Sequence, residues 1–132
     1  MASTKDEVSV RWIRSIDPTI DVIVHGAEHP LSAGVDFHLL RIAQEATTNA
    51  IKHGSAALIR IKLEYLPEIT RLTITDDGRG FDPATSQPAP GPHFGLLGMH
   101  ERAAKIGASL TLASSPGDGC VVTVSLPNET SR

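Results

Sequence analysis

The segment Arg71-Leu72-Thr73-Ile74-Thr75-Asp76-Asp77-Gly78-Arg79-Gly80-Phe81 decides how the rest of the chain is read. Leu72 and Ile74 alternate with Arg71, Thr73 and Thr75, the period of a half-buried strand, and that strand runs into an acid-glycine turn. Such an ending sets a carboxylate at the rim of a sheet. Gly78 and Gly80 permit positive φ and let a ligand ring approach the backbone closely. Asp-Gly is also a common turn dipeptide, so on this stretch alone a binding rim and a plain loop stand as equal alternatives.

Outward from that rim, Ala57 to Tyr65 alternates Ile59, Ile61, Leu63 and Tyr65 against Arg60, Lys62 and Glu64, a strand with one wet face. Leu66-Pro67-Glu68 turns it into Ile69–Thr75, so the rim closes a hairpin. Before it, Asp36 to His53 has the period of a helix, and Gly54 stands where a left-handed cap belongs. Leu39, Leu40, Ile42, Ala43, Ala46, Ala50 and Ile51 fill one arc of that helix, with Thr47 among them. The opposite arc holds His38, Arg41, Gln44, Glu45, Thr48, Asn49 and Lys52, which places Glu45 and Asn49 one turn apart. Taken alone, that face is most simply a solvated helix surface.

Val8–Arg14 and Ile20–Val24 read as opening strands around an Asp17-Pro18 turn. Asp82 to His93 contains Pro83, Pro88, Pro90, Gly91 and Pro92 and reads as a mobile loop of lid length, or by itself as an idle surface loop. Gly95-Leu96-Leu97-Gly98-Met99 leads into a helix over Met99–Ile106, whose free N–H groups and dipole suit a phosphate, a weak signal in isolation. Ser109–Ser114 and Cys120–Leu126 close the chain as a hairpin. The order predicts an α/β two-layer sandwich, a mixed β-sheet with helices on one face.

The 132 residues suit one domain, and 40% apolar with 20% charged residues describe an ordinary globular protein. A formal charge of -3 without a basic run excludes the electrostatic footprint of nucleic-acid binding. One cysteine, Cys120, excludes an internal disulfide and a cysteine-rich metal site and suits a reducing, cytoplasmic setting. The sequence shows neither an apolar run of membrane-spanning length nor a signal-peptide core, so no membrane contact by this domain is expected.

A helix face with Glu45 and Asn49, an acid-glycine rim and a glycine-led helix start occur together in one order. With them the chain resembles the GHKL superfamily of ATP-binding domains, and within it bacterial sensor histidine kinases of the group that pairs with NarL-type response regulators. Gln44-Glu-Ala-Thr-Thr-Asn-Ala-Ile-Lys-His53 is similar to that group's N box, Asp76–Phe81 to its G1 box, and Gly95-Leu-Leu-Gly-Met-His-Glu-Arg102 to its G2 box. The resemblance runs from about Val8 to Pro127.

It implies a Bergerat-type fold over 8–127 with an ATP lid at 82–94, a disordered stretch at 1–7 and a polar tail at 128–132. It implies ATP and Mg²⁺ as cofactors, with Asn49 coordinating the metal and Glu45, the catalytic residue, orienting a water on it. Lys52 and His53 would lie near the phosphates, and Asp76 would accept from the adenine amino group. Gly78, Gly80 and Phe81 would surround the ring, and Gly95, Leu96, Gly98 and Met99 would form the lid hinge and phosphate contact. Cys120 and His100 depart from the threonine and arginine common at those places.

The implied partners are a histidine-bearing dimerisation domain of a parent kinase and, through it, a response regulator. Any membrane anchor would belong to that parent. Residues before Val8 are too few for a helical hairpin, so the phosphoryl acceptor is expected on a separate or missing domain and the isolated chain is expected to be a monomer. A stand-alone anti-sigma-factor serine kinase of the same superfamily and a pseudo-enzyme binding module are the alternatives. Asp76→Ala or Asn is expected to cost at least ~1–3 kcal/mol of nucleotide binding.

Overall fold

The computed structural model describes residues 7–13, 18–28, 30–81 and 95–128. The expected lid over 82–94 lies outside the described residues, as do residues 1–6 and 129–132. In chain order the elements are β1 (Glu7–Ile13), β2 (Thr19–His25), α1 (Val35–Lys52), β3 (Leu58–Tyr65), β4 (Ile69–Asp76), α2 (Leu96–Lys105), β5 (Ser109–Ser114) and β6 (Cys120–Pro127).

The strands form one six-stranded sheet in the order β1-β2-β3-β4-β6-β5. Every neighbouring pair is antiparallel except β2 and β3, which run parallel because α1 returns the chain between them. The sheet is therefore mixed. α1 lies over β3 and β4, and α2 packs beside it over β5, leaving both helices on one face.

The alternation read from β3 and β4 survives in the sheet. Ile59, Leu72 and Ile74 face the helices with Val122, Val124 and Leu126 of β6, while Glu64 and Arg71, register partners, pair at 3.0 Å on the other face. Ile42 and Ile59 are fully enclosed, and burying a side chain of that size contributes about 1.5–3 kcal/mol. Leu39, Ala43, Ala46 and Ala50 complete the α1 stripe, to which α2 adds Met99 and Ala103.

Two local expectations change. The residue with positive φ after α1 is Ser55 (φ 52), not Gly54. Gly54 is needed for proximity instead: its carbonyl accepts the Arg79 N–H at 2.8 Å, and a Cβ on Gly54 would come within 3.0 Å of the Ala50 carbonyl oxygen. α2 also begins at Leu96, after Gly95 with φ 66, and carries Gly98 inside the helix. Packing of Leu96 and Met99 on the core outweighs the poor helix propensity of glycine there.

Candidate functional site

The period of β4 turns Thr70, Leu72 and Ile74 inward, and it turns Asp76 inward as well. Asp76 pairs in register with Ile59 on one side and Cys120 on the other, and Cys120 pairs with Ser114. A carboxylate and a thiol thus stand side by side at the end of the inward face, beyond Leu72 and Ile74. The Gly78 N–H donates to Asp76 Oδ1 at 2.7 Å. Burial raises the Asp76 pKa above the ordinary carboxylate value; the Gly78 N–H opposes this, and the nearby Asp77 charge adds to it. Burial also lifts the Cys120 thiol to about 11, the Asp76 charge contributing and a hydrogen bond with Ser114 opposing.

A cavity opens against this pair. α1 supplies Ala46, Asn49 and Ala50, with His53 and Gly54 just beyond it; β4 and its turn supply Ile74, Asp76, Gly80 and Phe81. Leu96 and Met99 of α2 close it, and Leu112, Cys120 and Val122 of the sheet complete it. The walls are mostly aliphatic, so a flat apolar ring is favoured, and Asp76 offers it a single strong acceptor for an amino group. The Asn49 side-chain oxygen is buried within the α1 wall.

The turn carrying the glycines is gripped from both sides. Gly80 has φ 65, and a Cβ there would strike the Ser115 and Gly119 carbonyl oxygens. The Phe81 N–H donates to Ser114 Oγ at 2.9 Å, and the Gly117 N–H donates to the Arg79 carbonyl at 2.6 Å. Only glycine permits this path beside the pocket.

Of the residues singled out from sequence, Asn49, His53, Asp76, Gly80, Phe81, Leu96 and Met99 meet around the one cavity. The others lie around it. Gly78 sits behind Asp76, where a Cβ would come within 2.6 Å of the Gly54 carbonyl oxygen. Glu45 packs against the backbone of Gly95, in space that a Cβ on Gly95 would occupy. Lys52 is exposed, and Gly98 has open space around it.

Sequence reasoning missed Ala46, Ala50, Gly54, Ile74, Leu112, Cys120 and Val122 as parts of the wall. Ala46, Asn49, Ala50 and His53 follow helical i, i+3, i+4, i+7 spacing, a signal that was available. It was obscured because the pocket lies on the border between the apolar and polar arcs. Cys120 has no local signal, since only sheet register brings it beside Asp76.

A helix-covered mixed sheet whose acidic strand end and glycine turn open on an apolar pocket defines an ATP-binding domain of the two-component histidine-kinase type. Residues 34–130 match the family described as Histidine kinase-, DNA gyrase B-, and HSP90-like ATPase, and the chain belongs to that family. It is 37% identical over 89 residues to the signal transduction histidine-protein kinase/phosphatase DegS of Bacillus subtilis (strain 168), covering 67% of this chain and 23% of DegS. To the sensor protein VraS of Staphylococcus saprophyticus it is 35% identical over 108 residues, covering 80% of this chain and 30% of VraS.

The chain therefore spans less than a third of either relative. Among solved structures, the ATP binding domain of PrrB from Mycobacterium tuberculosis aligns with a TM-score of 0.60 at 20% identity, covering 93% of this chain and 98% of that one. The histidine kinase domain from Erythrobacter litoralis EL346 aligns with a TM-score of 0.64 at 21% identity, covering 79% and 52%. These structural likenesses show the fold. Among the described residues, no helix is long and apolar enough to cross a membrane.

Proposed function

We propose that this chain binds Mg-ATP and supplies the γ-phosphoryl group to a histidine on a dimerisation domain, in two-component signalling that ends on a NarL-type response regulator. The observation that carries the proposal is Asp76. It is the one carboxylate among the described residues that line the cavity, turned inward after Leu72 and Ile74 and oriented by the Gly78 N–H. Such an acceptor selects a ring with an amino donor, because a ligand lacking the donor leaves the partly buried carboxylate unpaired.

The remaining roles belong to the same proposal. Gly80 and Phe81 border the ring, and Gly78 lets the turn close behind Asp76. Asn49 and His53 of the cavity wall, with the exposed Lys52 beside them in sequence, would contact the phosphates. Gly95, Leu96, Gly98 and Met99 lie at the start of α2, whose free N–H groups would contact the phosphates. Among the described residues, no group of three or more His, Cys, Asp and Glu side chains could hold a metal ion. The donor set nevertheless fits Mg²⁺, a hard ion that accepts one amide oxygen, here Asn49 Oδ1, together with phosphate oxygens and water. When bound, it would neutralise the phosphate charge. Glu45, whose side chain lies against Gly95, would orient a water on the ion.

Positioning supplies most of the catalysis of phosphoryl transfer, so turnover depends on the acceptor domain being docked. The test is calorimetric titration with a non-hydrolysable ATP analogue, with and without Mg²⁺. Saturable binding is expected, with Asn49→Ala chiefly losing the Mg²⁺ dependence and Asp76→Ala losing affinity itself. Absence of binding at millimolar nucleotide in a folded protein would overturn the proposal in favour of a binding module without nucleotide handling.

A further inference from the structure

Asp76 and Asp77 are adjacent in sequence but act on different parts of the fold. Asp76 lines the cavity, whereas Asp77 Oδ1 accepts the N–H groups of Ala57 and Leu58, each at 2.9 Å. The Asp77 N–H donates to the Leu58 carbonyl at 3.2 Å. Further along the turn, the Arg79 N–H donates to the Gly54 carbonyl at 2.8 Å, and Arg79 Nη2 donates to Ser55 Oγ at 3.1 Å. The segment from Gly54 to Leu58 is thereby tied to the turn that follows β4.

That segment is the continuation of α1 beyond its last turn. It starts at the pocket-lining His53 and Gly54 and passes through Ser55, whose positive φ is costly for a residue with a Cβ. Such a conformation persists only when neighbouring contacts enforce it. Of these ties, Asp77 Oδ1 is the single atom that takes two successive backbone N–H groups, which fixes the start of β3 against the turn.

We propose that Asp77 is a positioning residue. By holding the loop after α1 against the turn after β4, it sets the spacing between Asp76 and the α1 wall bearing Asn49, His53 and Gly54, so that the cavity is a preformed seat for the adenine nucleotide. The inference rests on the nucleotide assignment made above. A seat assembled only part of the time binds more weakly in proportion to the assembled fraction.

The test compares three variants by ADP calorimetry and by amide hydrogen exchange at Ala57 and Leu58. Asp77→Ala removes the acceptor and is expected to weaken ADP binding at least about tenfold while speeding exchange at both amides. Asp77→Asn keeps an acceptor oxygen in place and is expected to stay within about threefold of wild type. Asp77→Glu keeps the charge but moves the oxygen by one methylene, and is expected to lose affinity as the alanine variant does. If Asp77→Ala fails to fold, the Asn and Glu pair still decides. Equal affinity in all variants, or retention in Glu with loss in Asn, overturns the proposal, the latter by showing that charge and not placement matters. A wild type that binds no ADP overturns the nucleotide assignment instead, while the exchange pattern still reads whether the tie exists.

Discussion

Asp76 on β4 and Cys120 on β6 are register partners that share one cavity wall, so the pocket's acid and the chain's single thiol lie in one electrostatic environment. Whatever changes the charge of one is felt by the other.

The first consequence concerns stability against pH. The folded state raises the Asp76 pKa above its ordinary 3.8, so folding binds that proton more tightly. Its stabilising contribution is complete below about the ordinary value and is lost as pH rises through the folded pKa. Asp76→Asn should therefore melt higher than wild type at pH 7, the gap closing near pH 3, while its nucleotide affinity falls by at least ~1–3 kcal/mol. Thermal scans across that range with parallel calorimetry check both signs. A variant destabilised at pH 7 contradicts this account.

The thiol gives an independent readout. With its pKa pushed to about 11 by burial and the Asp76 charge, Cys120 should alkylate slowly at neutral pH and keep accelerating through pH 10. Asp76→Asn should speed the reaction at pH 7, and bound nucleotide should slow it. Because Cys120 is the only cysteine, mass spectrometry of the whole chain suffices. A rate that levels off near pH 8–9, where an ordinary thiol titrates, would be inconsistent with this environment.

Two glycines of the boxes should respond in opposite directions. Gly80→Ala forces a Cβ into φ 65 and against two carbonyl oxygens, a loss expected at about 1–2 kcal/mol or more. Gly98→Ala, helical with open space around it, should gain about 0.5–1 kcal/mol of folding stability. If the phosphates approach α2 closely, Gly98→Ala should nevertheless bind ATP more weakly. Urea unfolding and nucleotide titration of both variants separate these effects.

The core supplies a control. Ile42→Ala, at 0% exposure beneath the sheet, should destabilise by ~2–5 kcal/mol, whereas Leu97→Ala, at 68% exposure, should stay within ~0.5 kcal/mol. Denaturant midpoints test the contrast, and equal effects would mean that the packing of α1 is misassigned.

What the sequence determined by itself is local. Alternation in Leu58–Tyr65 and Ile69–Asp76, the helical period of α1 and the glycines flanking Phe81 and Leu96 are set by neighbours a few positions away. That was enough to place, in their order, the six strands and two helices of the described residues and half of the residues that line the cavity. The tertiary structure decided what depends on register and close approach. Asp76 meets Cys120 only because β6 inserts between β4 and β5, a pairing of distant segments that no local period encodes. Gly54 yields its expected left-handed turn to Ser55 because the Arg79 turn presses on it, and Asp77 becomes a tie because β3 starts within reach of its oxygen. Side-chain periodicity is written along the chain, whereas the distance between two loops exists only once the sheet between them has closed.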